Sequence, residues 1–200
     1  MGRVSRSGDN PLCLECGSLE RHRIFRQMLT AIRSHRFEGF RCLHIAPDRV
    51  VSADWFADYE PSYYGATNSL DLEDIDREDR SYDLVICNHV LEHVPDDTQA
   101  LRELFRIVSP EGLIFLSVPS PTTREVTEDW GFADPERHEH YRIYGADFGQ
   151  QLKSTLKRST TLRVEGRDFV TGVTDVAFLV CRRRSVAEEI LRDLNPAALL

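Results

Sequence analysis

The chain has 200 residues, the usual length of one domain that buries a core of its own. Hydrophobic residues make up 41% and charged residues 29%, typical of a globular protein, and no apolar run reaches the roughly 18 residues that would predict a membrane span. The 25 basic and 33 acidic residues give a formal charge of −8, which argues against a general nucleic-acid binder, because phosphate contacts need a basic surface.

The N-terminal part is expected to be loosely attached up to a first helix. Residues 1–12 are polar and contain no apolar stretch of the signal-peptide type, so we expect a cytoplasmic protein. A helix is predicted over 18–34, with Ser18 as its N-cap. The apolar stripe of this helix consists of Leu19, Ile24, Met28 and Ile32.

The five cysteines are an odd number in a cytoplasmic context, which argues against disulfides. Cys13 and Cys16 form a C-x-x-C pair, half of a zinc knuckle, whereas a structural zinc needs four ligands. His22 is close in sequence, but His35 or Cys42 would have to fold back to complete the set. The pair is therefore either a zinc site with distant ligands or a pair of free thiols.

From residue 41 onward, strand patterns alternate with helix patterns. The predicted order is a strand over 41–46, a helix over 48–59 broken by Pro61, strands over 63–67, 70–72 and 82–88, a helix over 97–108, a turn at 110–112 and a strand over 113–118. The strand over 82–88 is almost continuously apolar, which is typical of a strand buried on both faces of a parallel sheet.

The segment 120–144 has no clean period, and so long a segment inside a domain is often a functional loop or lid. Beyond it we predict a helix over 145–156, strands over 161–166 and 173–181, and a helix over 185–194. We therefore divide the chain into an N-terminal knuckle and helix over 1–38, a main domain over 39–184 with the lid at 120–144, and a C-terminal helix and tail over 185–200.

This order predicts an α/β fold with a mostly parallel sheet, helices on both faces and an antiparallel hairpin at one edge. In open sheets of this kind, ligands bind in the crevice beyond the carboxyl ends of the strands. The residues predicted at those ends are 46–48, 67–68, 71–72, 88–89 and 119–120.

The run 81–97, SYDLVICNHVLEHVPDD, resembles the fourth motif of class I S-adenosylmethionine-dependent methyltransferases. The segments 101–104 and 108–112 resemble the helix and turn that follow it in that family. The resemblance extends over about 41–180 and is most specific over 81–118. A subgroup with an N-terminal CxxCGSLERHR segment and a His-x-Ala-Pro loop is similar to this chain at both places.

The resemblance implies a Rossmann-like fold, S-adenosylmethionine as cofactor, and methyl transfer to an oxygen or nitrogen of an acceptor that we expect to be a small molecule. An adenosine needs a carboxylate for its ribose, an acceptor for its amine and an apolar slot for its ring. The implied cofactor contacts are His44, Ala46, Pro47, Asn68, Asp71, Leu72, Asn88 and His89. Asp71 is otherwise a turn acid, and Asn88 a capping amide.

Two departures from the family pattern favour an alternative function. The loop 44–49 contains no glycine, although the family's loop uses glycines to let the backbone approach the cofactor. Asn68 stands where the family has the acid that binds the ribose, and an amide lacks the charge assistance of a carboxylate. The alternative is a catalytically inactive methyltransferase-fold protein that binds a partner or ligand.

Histidines dominate the candidate catalytic residues. His89 is a candidate general base, although it is equally interpreted as a packing residue or, together with His93, as a metal ligand. His140, Arg142 and Tyr144 match the subgroup's H-x-R-x-Y-G segment. Arg142 would bind an anionic acceptor or pin the lid to the sheet. A metal-dependent enzyme that uses His89, His93 and the lid histidines is a further alternative.

Overall fold

The structure, a computed structural model, describes residues 11–33, 36–66, 68–119 and 122–194. The predictions that concern 1–10, His35, Thr67, Ser120 and 195–200 lie outside the described residues. Within the described ranges, no helix is long and apolar enough to cross a membrane.

The described residues form eight strands and four helices. The strands are β1 (Arg41–Ile45), β2 (Asp58–Ser62), β3 (Tyr82–Asn88), β4 (Val108–Ser117), β5 (Glu128–Asp134), β6 (His140–Ile143), β7 (Thr160–Arg167) and β8 (Thr174–Cys181). The helices are α1 (Glu20–Arg33), α2 (Asp97–Ile107), α3 (Phe148–Thr155) and α4 (Arg184–Asp193).

Six strands form one sheet in the order β2-β1-β3-β4-β8-β7, and β5 pairs with β6 in a separate hairpin. The first four strands of the sheet run parallel, whereas β8 and β7 are antiparallel. The predicted mostly parallel sheet with an antiparallel hairpin at one edge is therefore confirmed.

The sheet is covered on both faces, and β3 shows how one strand serves both cores. Leu84 and Ile86 face a core that includes the buried side of α1 and α4. Val85 and Cys87 face a second core that includes the buried side of α2 and α3. Successive side chains of a strand point to opposite faces, so a strand between two helix layers must be apolar at every position.

The predicted helix over 48–59 is wrong. Only a single 3₁₀ turn forms there, Ala53–Trp55, and the chain then enters β2, which pairs residue by residue with β1. The predicted strand over 63–67 is also wrong, because β2 lies earlier in the chain and ends at Ser62. Pro61 is tolerated in β2 because this strand is at the sheet edge, where a missing backbone N–H costs no ladder hydrogen bond.

Three smaller predictions also need correction. Residues 70–72 form no strand, and Leu72 packs into the core from a turn instead. The predicted turn at 110–112 lies inside β4. Helix α1 begins at Glu20, so Ser18 is not its N-cap; the Leu19 N–H donates to Nδ1 of His22 over 3.2 Å instead.

A buried ion pair fastens α1 to the turn between β7 and β8. The guanidinium of Arg23 donates to both carboxylate oxygens of Asp168, at 2.7 Å each. The Asp168 side chain is fully buried and also accepts hydrogen bonds from the backbone and hydroxyl of Thr171. Burial opposes the charged form, but the hydrogen bonds from Arg23 and Thr171 hold the pKa of Asp168 below its usual value.

We expect the stabilisation by Asp168 to be pH-dependent. A carboxyl whose pKa is depressed in the folded state stabilises it above the unfolded pKa of about 3.9, and this contribution is lost as the pH falls further. Asp168→Asn should therefore lower the free energy of unfolding clearly at pH 7 and much less near pH 3. Denaturant unfolding at both pH values measures the difference. Glu165→Gln, in an exposed ion pair, is the control and should have little effect at either pH.

Candidate active site

The carboxyl ends of β1, β3 and β4 lie side by side, as the parallel register requires. Ile45 is level with Cys87, and Asn88 is level with Ser117. The loops that follow these strands therefore meet at one edge of the sheet, which we call the carboxyl edge.

A series of polar side chains crosses this edge. His44 is completely buried, with Nδ1 2.9 Å from the Tyr59 hydroxyl and Nε2 3.4 Å from Oδ1 of Asp48. The Asn88 amide donates to Asp48 over 3.5 Å and accepts from the Ser117 hydroxyl over 2.9 Å. The series fixes the side-chain amide of Asn88, one of the predicted cofactor contacts.

Asp48 keeps its negative charge at this edge. Burial raises the pKa of a carboxyl, but the hydrogen bond and charge of His44 outweigh it and lower the pKa of Asp48. Its backbone environment contributes as well, because the Val50 N–H donates to the carboxylate over 3.1 Å. The edge therefore holds a fixed anion beside Asn88.

The loop after β1 makes a glycine-like turn without glycine. Ala46 has a φ of 47°, in the left-handed region that costs an L-residue about 1–2 kcal/mol. Its N–H donates to the Ser62 carbonyl over 2.9 Å, which ties the loop to the end of β2. Strained backbone of this kind concentrates at functional sites. The next residue, Pro47, continues the same loop.

His89 is the first residue beyond β3, and it also has a left-handed backbone, with a φ of 55°. Its N–H donates to the Ser117 carbonyl over 3.0 Å. Burial, and then the charge of Arg21, lower the pKa of His89 to about 3, so its ring is neutral at physiological pH. The Nε2 atom is buried and has no hydrogen-bond partner in the part of the chain that the structure describes.

Glu92 lies three residues further on, in a 3₁₀ turn, Leu91–His93, and is 1% exposed. One carboxyl oxygen is 3.8 Å from Nδ1 of His89, and the other, Oε2, has no hydrogen-bond partner among the described residues. Burial raises the pKa of Glu92 to about 8. The carboxyl is therefore mostly protonated at neutral pH.

The first turn of α1 also contributes charge to this edge. After burial, the Arg21 charge is the largest influence on the pKa of His89, and it acts on Glu92 as well. His22 is half-buried beside Asp48, and burial lowers its pKa. The sequence does not reveal this placement of Arg21 and His22, because nothing in a short polar run shows which distant strand it faces.

A hairpin formed by β5 and β6 occupies the segment that was predicted to be a lid. Arg142 on β6 is 3% exposed and fastens the hairpin to the loop after β3. Its guanidinium donates to the carboxylate of Asp129 at 2.6 Å and to the backbone carbonyls of Leu91 at 3.0 Å, Val94 at 2.5 Å and Pro95 at 2.6 Å. This is the arrangement expected if Arg142 pins the lid.

The other two predicted lid residues differ in their surroundings. Tyr144 is completely buried, and its hydroxyl donates to Asp97 over 2.7 Å. Burial raises its pKa well above the usual value, so it stays protonated. The ring of His140 packs edge-on against the ring of His93, with the centroids 4.6 Å apart. His140 is thus brought next to the loop that contains His89, whereas the Tyr144 hydroxyl is bonded to the start of α2.

The predicted adenosine contacts lie on the β2 side of the edge. The Asn68 amide donates to Glu60 over 3.2 Å and to the Pro61 carbonyl over 2.8 Å. Asp71 is exposed, and its Oδ1 accepts from the Glu73 N–H over 2.9 Å. The Asp71 carboxylate thus keeps its second oxygen for a ligand, whereas the Asn68 amide is held by the protein.

Cys13 and Cys16 lie in a tight turn in which the Gly17 N–H donates to the Cys13 carbonyl over 2.8 Å. The thiol of Cys16 is exposed, and a hydrogen bond with Ser18 lowers its pKa to about 7. Across the described ranges, neither cysteine belongs to a group of three or more metal-ligating side chains. The pair alone offers two of the four ligands that a structural zinc needs.

A cleft of about 950 Å³ opens beside the loop after β1. Its walls come from the N-terminal turn, α1, the loop 48–52 and the turn between β7 and β8. It includes Cys16, His22, Arg23, Asp48, Arg49 and Phe169. Asp48 belongs both to this cleft and to the polar series, so the two are continuous.

Comparison with known proteins places this architecture in a family. The sequence model of a family described as "Methyltransferase domain" matches residues 27–155. The malonyl-[acyl-carrier protein] O-methyltransferase 1 of Coxiella burnetii is 32% identical over 117 residues, which are 58% of this chain and 36% of that protein. The matched part is therefore about a third of the length of this curated relative.

Solved structures of methyltransferases resemble this chain as well. The putative methyltransferase of Haloferax volcanii, in its complex with the activator Trm112, has a TM-score of 0.51 at 10% identity, over 82% of this chain and 91% of that one. An S-adenosylmethionine-dependent methyltransferase of Thermotoga maritima has a TM-score of 0.48 at 14% identity, over 80% and 89% of the two chains. Because the family model covers well over half of the sequence, the chain belongs to the methyltransferase domain family, the class I S-adenosylmethionine-dependent methyltransferases.

Proposed function

We propose that this protein transfers a methyl group from S-adenosylmethionine to an oxygen or nitrogen of a small-molecule acceptor at the carboxyl edge, beneath the β5–β6 hairpin. One observation carries the proposal. At the end of β3, Glu92 is buried and the His89 side chain is 24% exposed, and each has one buried polar atom without a partner among the described residues. Buried polar atoms are normally paired, and those left over in a native fold are candidates for ligand contacts.

The side chains at this edge fit the chemistry of the cofactor. Its ammonium group would be held by the Asp48 carboxylate beside the Asn88 amide, and the amine of its adenine by the exposed carboxylate of Asp71. The left-handed turn at Ala46 gives the loop the path that glycine provides elsewhere. When bound, the cofactor supplies a methyl group that is already activated on a sulfonium sulfur.

The protein's own task is then to position the acceptor and exclude water. His89 Nε2 is placed to accept a hydrogen bond from the acceptor's hydroxyl or amine, and this bond would aim the oxygen or nitrogen at the methyl group. The hairpin shields this edge, because Arg142 holds it on the carbonyls of the loop after β3. His140 extends the same wall.

Two observations support an oxygen acceptor that is not a nucleic acid. The Coxiella burnetii relative is named as an O-methyltransferase. The net charge of −8 disfavours a polyanionic acceptor such as nucleic acid. An uncharged compound with a hydroxyl group, or an otherwise neutral compound with a carboxylic acid, is consistent with both observations.

Calorimetric titration with S-adenosylmethionine tests the proposal. We expect one site per chain, and Asp71→Asn should weaken binding by about 10-fold, since a hydrogen bond to a charged group contributes roughly 1.5 kcal/mol. Asp74→Asn, an exposed acid three residues away, is the matched control and should leave the affinity unchanged. The absence of any binding heat at millimolar S-adenosylmethionine would contradict the proposal.

The inactive alternative rests on one observation of its own. The Asn68 amide, in the position of the ribose acid, is engaged by Glu60 and the Pro61 carbonyl. A protein that binds the cofactor but shows no turnover with a panel of hydroxyl and amine acceptors, assayed by release of S-adenosylhomocysteine, would match this alternative. Turnover with any acceptor excludes it.

A further inference from the structure

Three side chains that can bind metals converge between the loop after β3 and the hairpin. Glu92 and His93 are consecutive residues of the Leu91–His93 turn, and His140 is the first residue of β6. One ligand atom from each lies within 4.8 Å of the others. His140 is distant in sequence from the other two, so the hairpin alone brings the set together.

The Glu92 carboxyl lacks the contacts that would compensate for its burial. It is 1% exposed, and its Oε2 has no hydrogen-bond partner within the described ranges. Its other oxygen lies 3.8 Å from Nδ1 of His89, which is too far for a hydrogen bond. A carboxyl oxygen without a partner is costly to bury, and a bound ion would satisfy it.

Contacts outside the three side chains hold them in place. Arg142, two residues after His140, donates to the carbonyls of Leu91 and Val94, which flank Glu92 and His93. The backbone of Glu139 lies beside the His93 ring, where metal-binding histidines commonly have a hydrogen-bond partner for their second nitrogen.

We propose that Glu92, His93 and His140 bind one divalent transition-metal ion. Two imidazoles and one carboxylate are a ligand set of zinc and iron sites in which coordination positions stay open. Ligand atoms on one ion lie about 3.4 Å apart at bond lengths near 2.1 Å, so shifts of about 1 Å would complete the set from the observed separations. The open positions would take water or an oxygen of the acceptor.

This inference names a ligand that the proposed function does not require. Where the proposed methyl transfer holds, the ion lies on the acceptor side of His89 and selects acceptors with an oxygen that binds metal. The metal site itself stands on the three side chains alone, so it is tested without cofactor or acceptor.

The experiment uses the full chain, stripped of metal by a chelator and titrated with Co²⁺ while the visible absorption is recorded. We expect one Co²⁺ per chain, displaced by Zn²⁺. His140→Ala should weaken binding by at least about 100-fold, because even partners of ligands contribute 10- to 100-fold. His138→Ala, an exposed histidine on the same hairpin, is the matched control and should leave the affinity unchanged.

Two further variants keep the outcome decisive. Glu92→Gln retains the side-chain shape and should still weaken Co²⁺ binding if the variant melts like the parent. The Cys13→Ser/Cys16→Ser variant should bind normally, and a sulfur-to-cobalt absorption band that disappears with it would instead assign the ion to the cysteine pair. Equal affinities of the His140 and His138 variants, or no stoichiometric Co²⁺, would overturn the proposal.

The two proposals fail separately. Metal binding without S-adenosylmethionine binding contradicts only the proposed methyl transfer. Cofactor binding by a chain that takes up no Co²⁺ contradicts only the metal site.

Discussion

Arg142→Ala should lower the free energy of unfolding by about 3 kcal/mol, since a hydrogen bond to a charged group contributes roughly 1.5–3 kcal/mol and several are lost together. The guanidinium is 3% exposed and donates to Asp129 and to the carbonyls of Leu91, Val94 and Pro95. Alanine would remove the guanidinium donors of these carbonyls, although the Leu91 carbonyl would still accept from the Val94 N–H. Urea unfolding followed by tryptophan fluorescence measures the change, because Trp130 lies on the same hairpin.

Arg124→Ala is the control for this substitution. Arg124 precedes the hairpin and forms an ion pair with Glu128 in which both side chains are at least a third exposed. Exposed pairs contribute no more than about 1 kcal/mol, so the variant should unfold almost like the parent. Similar losses for both variants would show that the Arg142 network does not hold the hairpin.

Gly145→Ala should also be strongly destabilising, by about 3 kcal/mol at the upper end of overpacking costs. A Cβ at this position would lie 2.5 Å from the Val126 carbonyl carbon and 2.8 Å from the Thr127 nitrogen. These atoms belong to the backbone at the start of the hairpin and cannot rotate away. The hairpin and the start of α3 must therefore move apart.

Gly39→Ala provides the matched comparison. A Cβ there meets nothing within 4 Å, so the change in stability should stay within about 1 kcal/mol. Thermal unfolding of the two variants beside the parent distinguishes crowding from a general loss of glycine flexibility. A Gly145 variant as stable as the Gly39 variant would mean that the close approach of the hairpin is not needed.

Both substitutions act on the hairpin. The hairpin completes the candidate active site, so its displacement should also affect the proposed function. It delivers His140 to His93, next to the turn that holds the unpartnered buried atoms of His89 and Glu92. If the hairpin is displaced, we expect acceptor methylation and Co²⁺ binding to decline together, while cofactor contacts near Asp48 and Asn88 remain. The hairpin thus belongs to the acceptor side of the site.

The strands of the sheet were predictable where burial on both faces requires a continuous run of apolar residues. The segments that became β3 and β8 were predicted close to their bounds, and so were α2 and the half-buried strand β7. The segment 48–59 was not, since its apolar residues Val50, Val51, Trp55 and Phe56 mimic a helix stripe. They pack into the core from an irregular loop, because the chain must then extend as β2, Asp58–Ser62, to pair with β1.

The sequence by itself determined the family and the place of the site, because the run from Tyr82 to Val94 encodes a buried strand and the polar turn at its end. Tertiary structure alone decided which distant groups join that turn. The charge of Arg21 and the ring of His140 reach Glu92 from a helix and a hairpin that precede and follow the motif in sequence. Such contacts depend on how those elements pack against the sheet, and no local pattern of residues records that packing.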